Sequence, residues 1–311
     1  MTTYNKRIFG AALVKAINSN YNADFSGQPR TLPDGTVYAT DKAFKYTVKN
    51  YLKDVYPDEK IFYFKRFNES FVPFSLDDAY ANMFPENKDT KDKKLVARDI
   101  LSCLDIRLFG ATFAKKGKTD NIAISIHGPV QINHGINIWH ENNIFSEQIM
   151  SPFRNPDEKS EEKQATTLGR QSKLQEGHYL HHFSVNPQNL HEIVDLAGDG
   201  AKNITEADVK RLKEAMSRGV TWYDSASKSG SENEALIWIE LNENSKIVLP
   251  NLTQLVKMAD IKEDGKVMLD CKALNNKLSE FLEEIETIEI MYNKDSLKLI
   301  NTPEKCILCD L

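Results

Sequence analysis

The 311-residue sequence has no run approaching the roughly 20 consecutive apolar residues that cross a bilayer, which excludes a membrane-spanning helix. Cysteine is scarce: Cys103, Cys271, Cys306 and Cys309 are too few and too scattered for a disulfide framework in a chain of this size. That scarcity fits a reducing compartment, with the cytoplasm as the expected location. The Cys306–Cys309 C-x-x-C pair lacks the two further ligands of a zinc site and the surrounding pattern of a redox fold. His178, His181 and His182 form the one histidine cluster, but on a strand residues 181 and 182 point to opposite faces and cannot both join His178 on a metal. No metal and no cofactor are expected. Positive charge is also in deficit, 40 Lys and Arg against 45 Asp and Glu for a net −5, which at first sight argues against a nucleic-acid partner.

The distribution of charge reverses that argument. Residues 1–53 carry 8 basic against 3 acidic side chains, net +5, whereas residues 184–311 carry 15 against 23, net −8. One end of the chain can meet phosphate while the other repels it. The apolar run Ile8–Val14 follows Lys6 and Arg7 but is interrupted by Gly10 and closed by Lys15, so it reads as a strand rather than a secretory leader.

Alternating small and large apolar residues predict a central strand from Arg7 to Ile17, and Pro33-Asp34-Gly35 predicts a tight turn. Thr40 or Asp41 then caps a helix with Phe44, Val48, Tyr51, Leu52 and Val55 on one face, ending before Pro57. Residues 58–94 are aromatic-rich and then strongly charged, which reads as an insertion, and a second helix is expected over 95–104. Ile122, Ile124 and Ile126 alternate with Ala123, Ser125 and His127 as in a half-buried strand. Residues 139–173 have little periodicity and read as an extended arm or hairpin with a mobile tip. A strand is expected over 178–185. Thr205 and Asp208 then open a helix striped with Val209, Leu212, Ala215 and Met216 that Gly219 should stop. With a strand at 236–241 the order is βαββαβ, and a last helix carries Leu274, Leu278, Phe281, Leu282 and Ile285.

The chemistry on offer is that of holding rather than cutting. Leu104-Asp105-Ile106-Arg107-Leu108-Phe109-Gly110, followed by His127-Gly128-Pro129-Val130-Gln131, sets an arginine and an amide beside glycines with no nucleophile, metal cluster or acid pair nearby. Arg107 can fork two hydrogen bonds to a phosphate, with Gly110 and Gly128 admitting the sugar-phosphate chain, or it can close a structural salt bridge with Asp105 or another acid. Lys42, Lys45, Lys49 and Lys53 fall on one helical stripe free of acids, which is either a phosphate track or a solvated face. Gln131 and Asn133 can read sugar hydroxyls or base edges, or simply edge a sheet. On the arm, Met150, Phe153 and Arg154, with Arg170 and Lys173 where it returns, suit wedging against bases or packing on a neighbour. Asp24 is either a catalytic acid or a residue closing its own turn.

Together these stretches resemble the backbone subunit of Cascade-type CRISPR interference complexes, the seventh CRISPR-associated protein family, most of all in its type I-B form. The matching text is Asn22-Ala23-Asp24, then Thr40-Asp41 with Lys45, Asp105 to Gly110, Gly128 to Gln131, Thr167-Leu168-Gly169-Arg170 and Phe183-Ser184-Val185-Asn186-Pro187. The order holds over residues 6–245; the acidic C-terminal part contributes no motif. The resemblance implies an α+β fold, a ferredoxin-like (RRM-like) palm with a helical finger insertion and a β-hairpin thumb. Its parts would be palm at 1–57, fingers at 58–104, palm at 105–138, thumb at 139–173, and palm with a C-terminal extension at 174–311.

The function so implied is non-enzymatic. The chain would bind CRISPR guide RNA, polymerise head to tail along the spacer as an open homo-oligomeric filament, and present it for pairing with a target DNA strand. Other Cascade subunits, including the guide-end capping subunit and the large subunit, would be partners, and no membrane is involved. The RNA-binding residues would be Asn22, Lys42, Lys45, Lys49, Arg107, Gly128, Gln131, Asn133, Met150, Phe153, Arg170 and Lys173, with none catalytic. The alternative is an endoribonuclease that cuts target RNA through Asp24, as type III relatives of the family do, or guide precursor through His181 or His182.

Overall fold

Strand β1 (Ile8–Ser19) is the axis of the molecule, and its two faces look into two different cores. Ala12, Val14 and Ala16 join Phe44 and Val48, whereas Phe9, Ala11 and Leu13 join Leu252, Leu269 and Leu274. A strand apolar on both faces needs a cover on each side, which is why its residues read as a continuous hydrophobic run. The computed structural model describes residues 2–115, 121–150 and 168–311.

A short strand, β2 (Tyr38–Ala39), leads into helix α1 (Asp41–Val55). Thr40 is its N-cap, accepting a hydrogen bond from the Ala43 amide through its hydroxyl, an interaction typically stabilising by about 1 kcal/mol. Phe44, Val48, Tyr51 and Leu52 are buried, as the spacing predicts. Next come α2 (Leu76–Met83), opened by a Ser75/Asp78 capping box, α3 (Lys93–Leu101) and α4 (Leu104–Phe109). The helix expected over 95–104 is α3, which ends at Leu101, and α4 is a further helix that the sequence reading did not include. Extended Cys103 separates α3 from α4, and α4 carries Arg107.

Strands β3 (Gly110–Lys115) and β4 (Ile122–His127) pair antiparallel as a separate two-stranded sheet, with Ile122, Ile124 and Ile126 buried as their alternation requires. The chain continues through β5 (Val130–Ile132), β6 (Gly135–Asn137), β7 (Ile144–Met150) and β8 (Leu168–Val185). β7 runs antiparallel to β8 from Ile144 opposite Leu174 to Met150 opposite Leu168. The expected mobile tip, with Phe153 and Arg154, lies outside the described residues.

After α5 (His191–Ala197), helix α6 (Glu206–Trp222) starts at the Thr205/Asp208 capping box and leads to β9 (Ser231–Leu241). Gly219 does not stop α6. It lies inside the helix, where a Cβ would come within 2.9 Å of the Thr47 carbonyl oxygen, so the glycine is there to let α1 and α6 pack closely.

The C-terminal part adds β10 (Lys257–Met258), β11 (Val267–Asp270), α7 (Lys272–Ser279), β12 (Ile285–Tyr292), β13 (Leu297–Ile300) and β14 (Ile307–Asp310). Of the expected last helix only the portion up to Ser279 forms; Ile285 already opens β12.

The fold is mixed α+β. Its main sheet runs β14-β12-β9-β1-β8-β6-β2, with β5 and β7 also paired to β8. β1 is antiparallel to both β8 and β9. Helices α1 and α6 contribute to the core on one face of this sheet, and the β10-β11-β13 sheet with α7 contributes to the core on the other. The acidic C-terminal part thus supplies the second cover that the apolar pattern of β1 demands.

Candidate nucleic-acid interface

The Leu104–Gly110 stretch is built for architecture. The Asp105 carboxylate accepts the amides of Phe62 and Tyr63, each at 2.8 Å, and its complete burial pushes its pKa up. Arg107 is only 3% exposed. Its guanidinium donates to Asp208 at 3.1 and 3.0 Å and to the carbonyls of Leu101 and Ser102 at 3.1 and 2.8 Å, with Glu59 at 3.5 Å. The fork that a phosphate would need is filled by protein, so Arg107 closes the structural salt bridge, with Asp208 rather than Asp105.

The glycines follow the same logic. Gly110 adopts φ 70°, ψ −179°, and a Cβ there would come within 2.2 Å of the Ile126 carbonyl oxygen. A Cβ on Gly128 would lie 2.1 Å from the Phe109 carbonyl carbon and 2.2 Å from the Gly110 nitrogen. Gly128 is therefore glycine so that backbone can approach backbone, which corrects the expectation that it admits a ligand.

The basic side chains that line a cleft lie on α1. A cleft of about 350 Å³ is lined by Lys42, Lys45 and Lys49 together with Asp41, Phe109 and Thr112, with the buried Asp105 carboxylate, already spent on two amides, also at its wall. The Lys42 side chain is 85% exposed, and Lys45 reaches Asp41 at 3.1 Å while its ammonium lies 5.7 Å from the centre of the Phe109 ring. Lys49 donates to the Tyr63 carbonyl at 2.7 Å, and burial lowers its pKa. Lys53 is paired with Asp54 at 2.5 Å and lines no part of this cleft. The stripe is thus not acid-free: Asp41 and Asp54 sit beside it, and its basic surface narrows to three lysines.

A second cleft, of about 500 Å³, is lined by Asn133, His134, Asn251 and Thr253 and shares Asp41 with the first. His134 stacks on Tyr38 with ring centres 5.5 Å apart, and its Nδ1 lies 3.4 Å from the Asp41 amide. Asn133 is exposed, as the sequence reading requires, but His134, Asn251 and Thr253 escaped it. Asn251 and Thr253 lie over a hundred residues from their neighbours in the cleft and carry no local signal.

The remaining expected contacts lie apart from these clefts. Asn22 uses its side-chain oxygen to accept the Thr40 amide and hydroxyl at 2.9 and 3.0 Å, so it braces the start of α1 instead of presenting its carbonyl to a ligand. Gln131 is exposed on β5 and donates to the Gly128 carbonyl at 2.8 Å. Met150, 65% exposed, ends β7; Arg170 is exposed on β8, and Lys173 lies 3.5 Å from Glu147 across the strand pair. Phe153 lies outside the described residues.

The candidates for strand cleavage are engaged elsewhere. Asp24 accepts from the Ser26 amide and hydroxyl and from the Gln28 amide, bonds that hold its pKa below the usual carboxylate value and close its own turn. His178 pairs with Glu234 at 2.5 Å, and His182 accepts the Leu252 amide at 3.3 Å. His181 packs flat on Phe44 and hydrogen-bonds the Asn133 carbonyl; burial lowers its pKa to about 4.

A histidine kept neutral when folded but protonated when unfolded removes stability as pH falls from about 6.5 towards 4, by up to about 3 kcal/mol. Denaturant midpoints measured across that window should fall more steeply for the wild type than for His181→Phe. Equal slopes would show that His181 titrates alike in both states.

No curated protein matches the chain by sequence. Among solved structures it is similar to a chain of a "CRISPR RNA-guided surveillance complex", at 13% identity and TM-score 0.51 over 95% of both chains. It is likewise similar to a chain of a "CRISPR RNA-guided surveillance complex, pre-nicking", at 12% identity and TM-score 0.52 over 98% of this chain and 96% of that one. At such identities the likeness is one of fold. The model of the family described as CRISPR-associated protein Cas7 matches residues 6–278, nearly the whole length over which the two cores and the lysine cleft are built, and the chain therefore belongs to the Cas7 family.

Proposed function

We propose that this chain is a guide-RNA-binding backbone subunit of a Cascade-type surveillance complex, holding the spacer for pairing with target DNA. The observation that carries the reading is the lysine cleft on α1 of a Cas7-family fold: Lys42, Lys45 and Lys49 form a short cationic track in a chain whose net charge is −5. A groove of this kind grips phosphates without reading bases, which suits a protein that leaves sequence specificity to base pairing.

The strand order β9-β1-β8-β6, all antiparallel, with α1 and α6 as connections, supports a ferredoxin-like palm. The α2–α3 segment within 58–104 suits fingers and the β7–β8 pair a thumb. Copies would join head to tail, a heterologous contact that does not close on itself and so makes a filament whose length the RNA limits. Capping and large subunits would complete the assembly, in the cytoplasm, and the type I-B form is the subtype we favour. The engagement of Asp24, His178 and His181 by their own surroundings supports a role without catalysis.

Binding of a short single-stranded RNA by the purified protein tests the reading. Lys42→Ala with Lys45→Ala should weaken binding and reduce the magnitude of the salt slope, log K against log salt, by about 1.4, two phosphates at about 0.7 each for a single strand. RNA-free monomers at low salt in the presence of guide would sink it. Incubation with complementary RNA addresses the endoribonuclease alternative: regular cleavage abolished by Asp24→Ala would establish it.

A further inference from the structure

We infer that the second cleft is a ribose subsite: Asn133, His134, Asn251 and Thr253 recognise the 2′-hydroxyl of a nucleotide whose phosphate is held in the neighbouring lysine cleft. The inference rests on the guide-binding reading and deepens it. Asp41 lines both clefts, so a strand leaving Lys42 and Lys45 passes directly into the second one.

The two clefts differ in chemistry. The first is cationic. The second offers amides, a hydroxyl and an imidazole, and Asp41, already paired with Lys45, is the one carboxylate among the described residues that line it. Lacking a lysine or arginine, it is unsuited to a phosphate. Base-edge readout would make binding depend on spacer sequence, which a subunit gripping any spacer cannot allow. What remains of the nucleotide is the sugar, whose 2′-hydroxyl both donates and accepts, as the amides do.

The donors are positioned and available. Asn251 spends its side-chain oxygen on the Thr253 amide at 3.0 Å and hydroxyl at 2.8 Å, which fixes its orientation. Its amide nitrogen, and the whole side chain of Asn133, have no hydrogen-bond partner among the described residues. His134 is held by its stack on Tyr38 and by the start of α1. Asn251 and Thr253 come from the C-terminal part, which would thereby contribute to the RNA groove.

The test compares a short RNA with the 2′-deoxy strand of the same sequence on the full chain. The wild type should prefer RNA by roughly tenfold, the worth of one or two hydrogen bonds to the hydroxyl. Asn133→Ala with Asn251→Ala should reduce that preference to within about twofold. Asn251→Asp, which keeps the oxygen that Thr253 needs, should reduce the RNA-to-DNA ratio as well, so a folding defect cannot mimic the result. Lys42→Ala with Lys45→Ala should weaken RNA and DNA alike. An RNA preference that survives the asparagine variants overturns the subsite while leaving the guide-binding reading intact. Absence of lysine-dependent binding to either strand overturns both.

Discussion

Asp208→Ala should destabilise the protein by about 3–5 kcal/mol, the effect expected when one partner of a buried ion pair is removed and the other is stranded. Arg107 would keep its carbonyl contacts to Leu101 and Ser102 and its 3.5 Å approach to Glu59 but lose the carboxylate that receives two of its N–H groups. Asp208 also accepts the Thr205 amide, so the cap of α6 would loosen in the same step. Removing the stranded charge as well, in Arg107→Met with Asp208→Ala, should recover part of the loss, because an apolar pair avoids desolvating the guanidinium. Urea denaturation of these two variants together with Arg107→Met and the wild type completes the double-mutant cycle. Because Arg107 lines neither cleft, any of them that remains folded should bind RNA with unchanged affinity. A stable Asp208→Ala protein that has lost RNA binding would restore Arg107 to the interface.

Gly110→Ala carries the second large effect. The backbone there, at φ 70° and ψ −179°, lies in a region open essentially to glycine alone, with strain of about 1–3 kcal/mol for any other residue. The new Cβ would also meet the Ile126 oxygen at 2.2 Å and the Gly128 nitrogen at 2.3 Å, and overpacking adds about 1–3 kcal/mol. Both atoms belong to backbone, so neither can swing away. Thermal and urea unfolding should show a loss of about 2–6 kcal/mol, close to the whole stability of a typical domain at the upper end. A wild-type denaturation midpoint would mean that the β3–β4 junction yields, and the packing account of these glycines would fall.

Local order was legible in the chain. The α1 helix with its Thr40 cap, the Thr205/Asp208 box and the alternation of Ile122, Ile124 and Ile126 all depend on residues within a few positions of one another, and all appear as read. Breakers were read less well. Gly219 looks like a helix stop until Thr47, from another helix, is seen beside it, and Cys103 divides two helices without any glycine or proline to announce it.

The candidate site divides along the same line. The lysines of α1 were legible because a helix converts spacing directly into a shared face. Arg107 was not, because a guanidinium is equally suited to a phosphate and to a carboxylate, and only the packing of α4 against α6 brings Asp208 into its fork.

By itself the sequence determined the family, through motifs in a fixed order, and the central strand with two apolar faces and a basic N-terminal helix, through short-range period. Tertiary structure decided which charges were spent inside and which faced out, and it brought Asn251 and Thr253 beside Asn133 and His134. Those outcomes depend on contacts between residues far apart in the chain, and the chemistry of a side chain does not reveal which distant partner will reach it first.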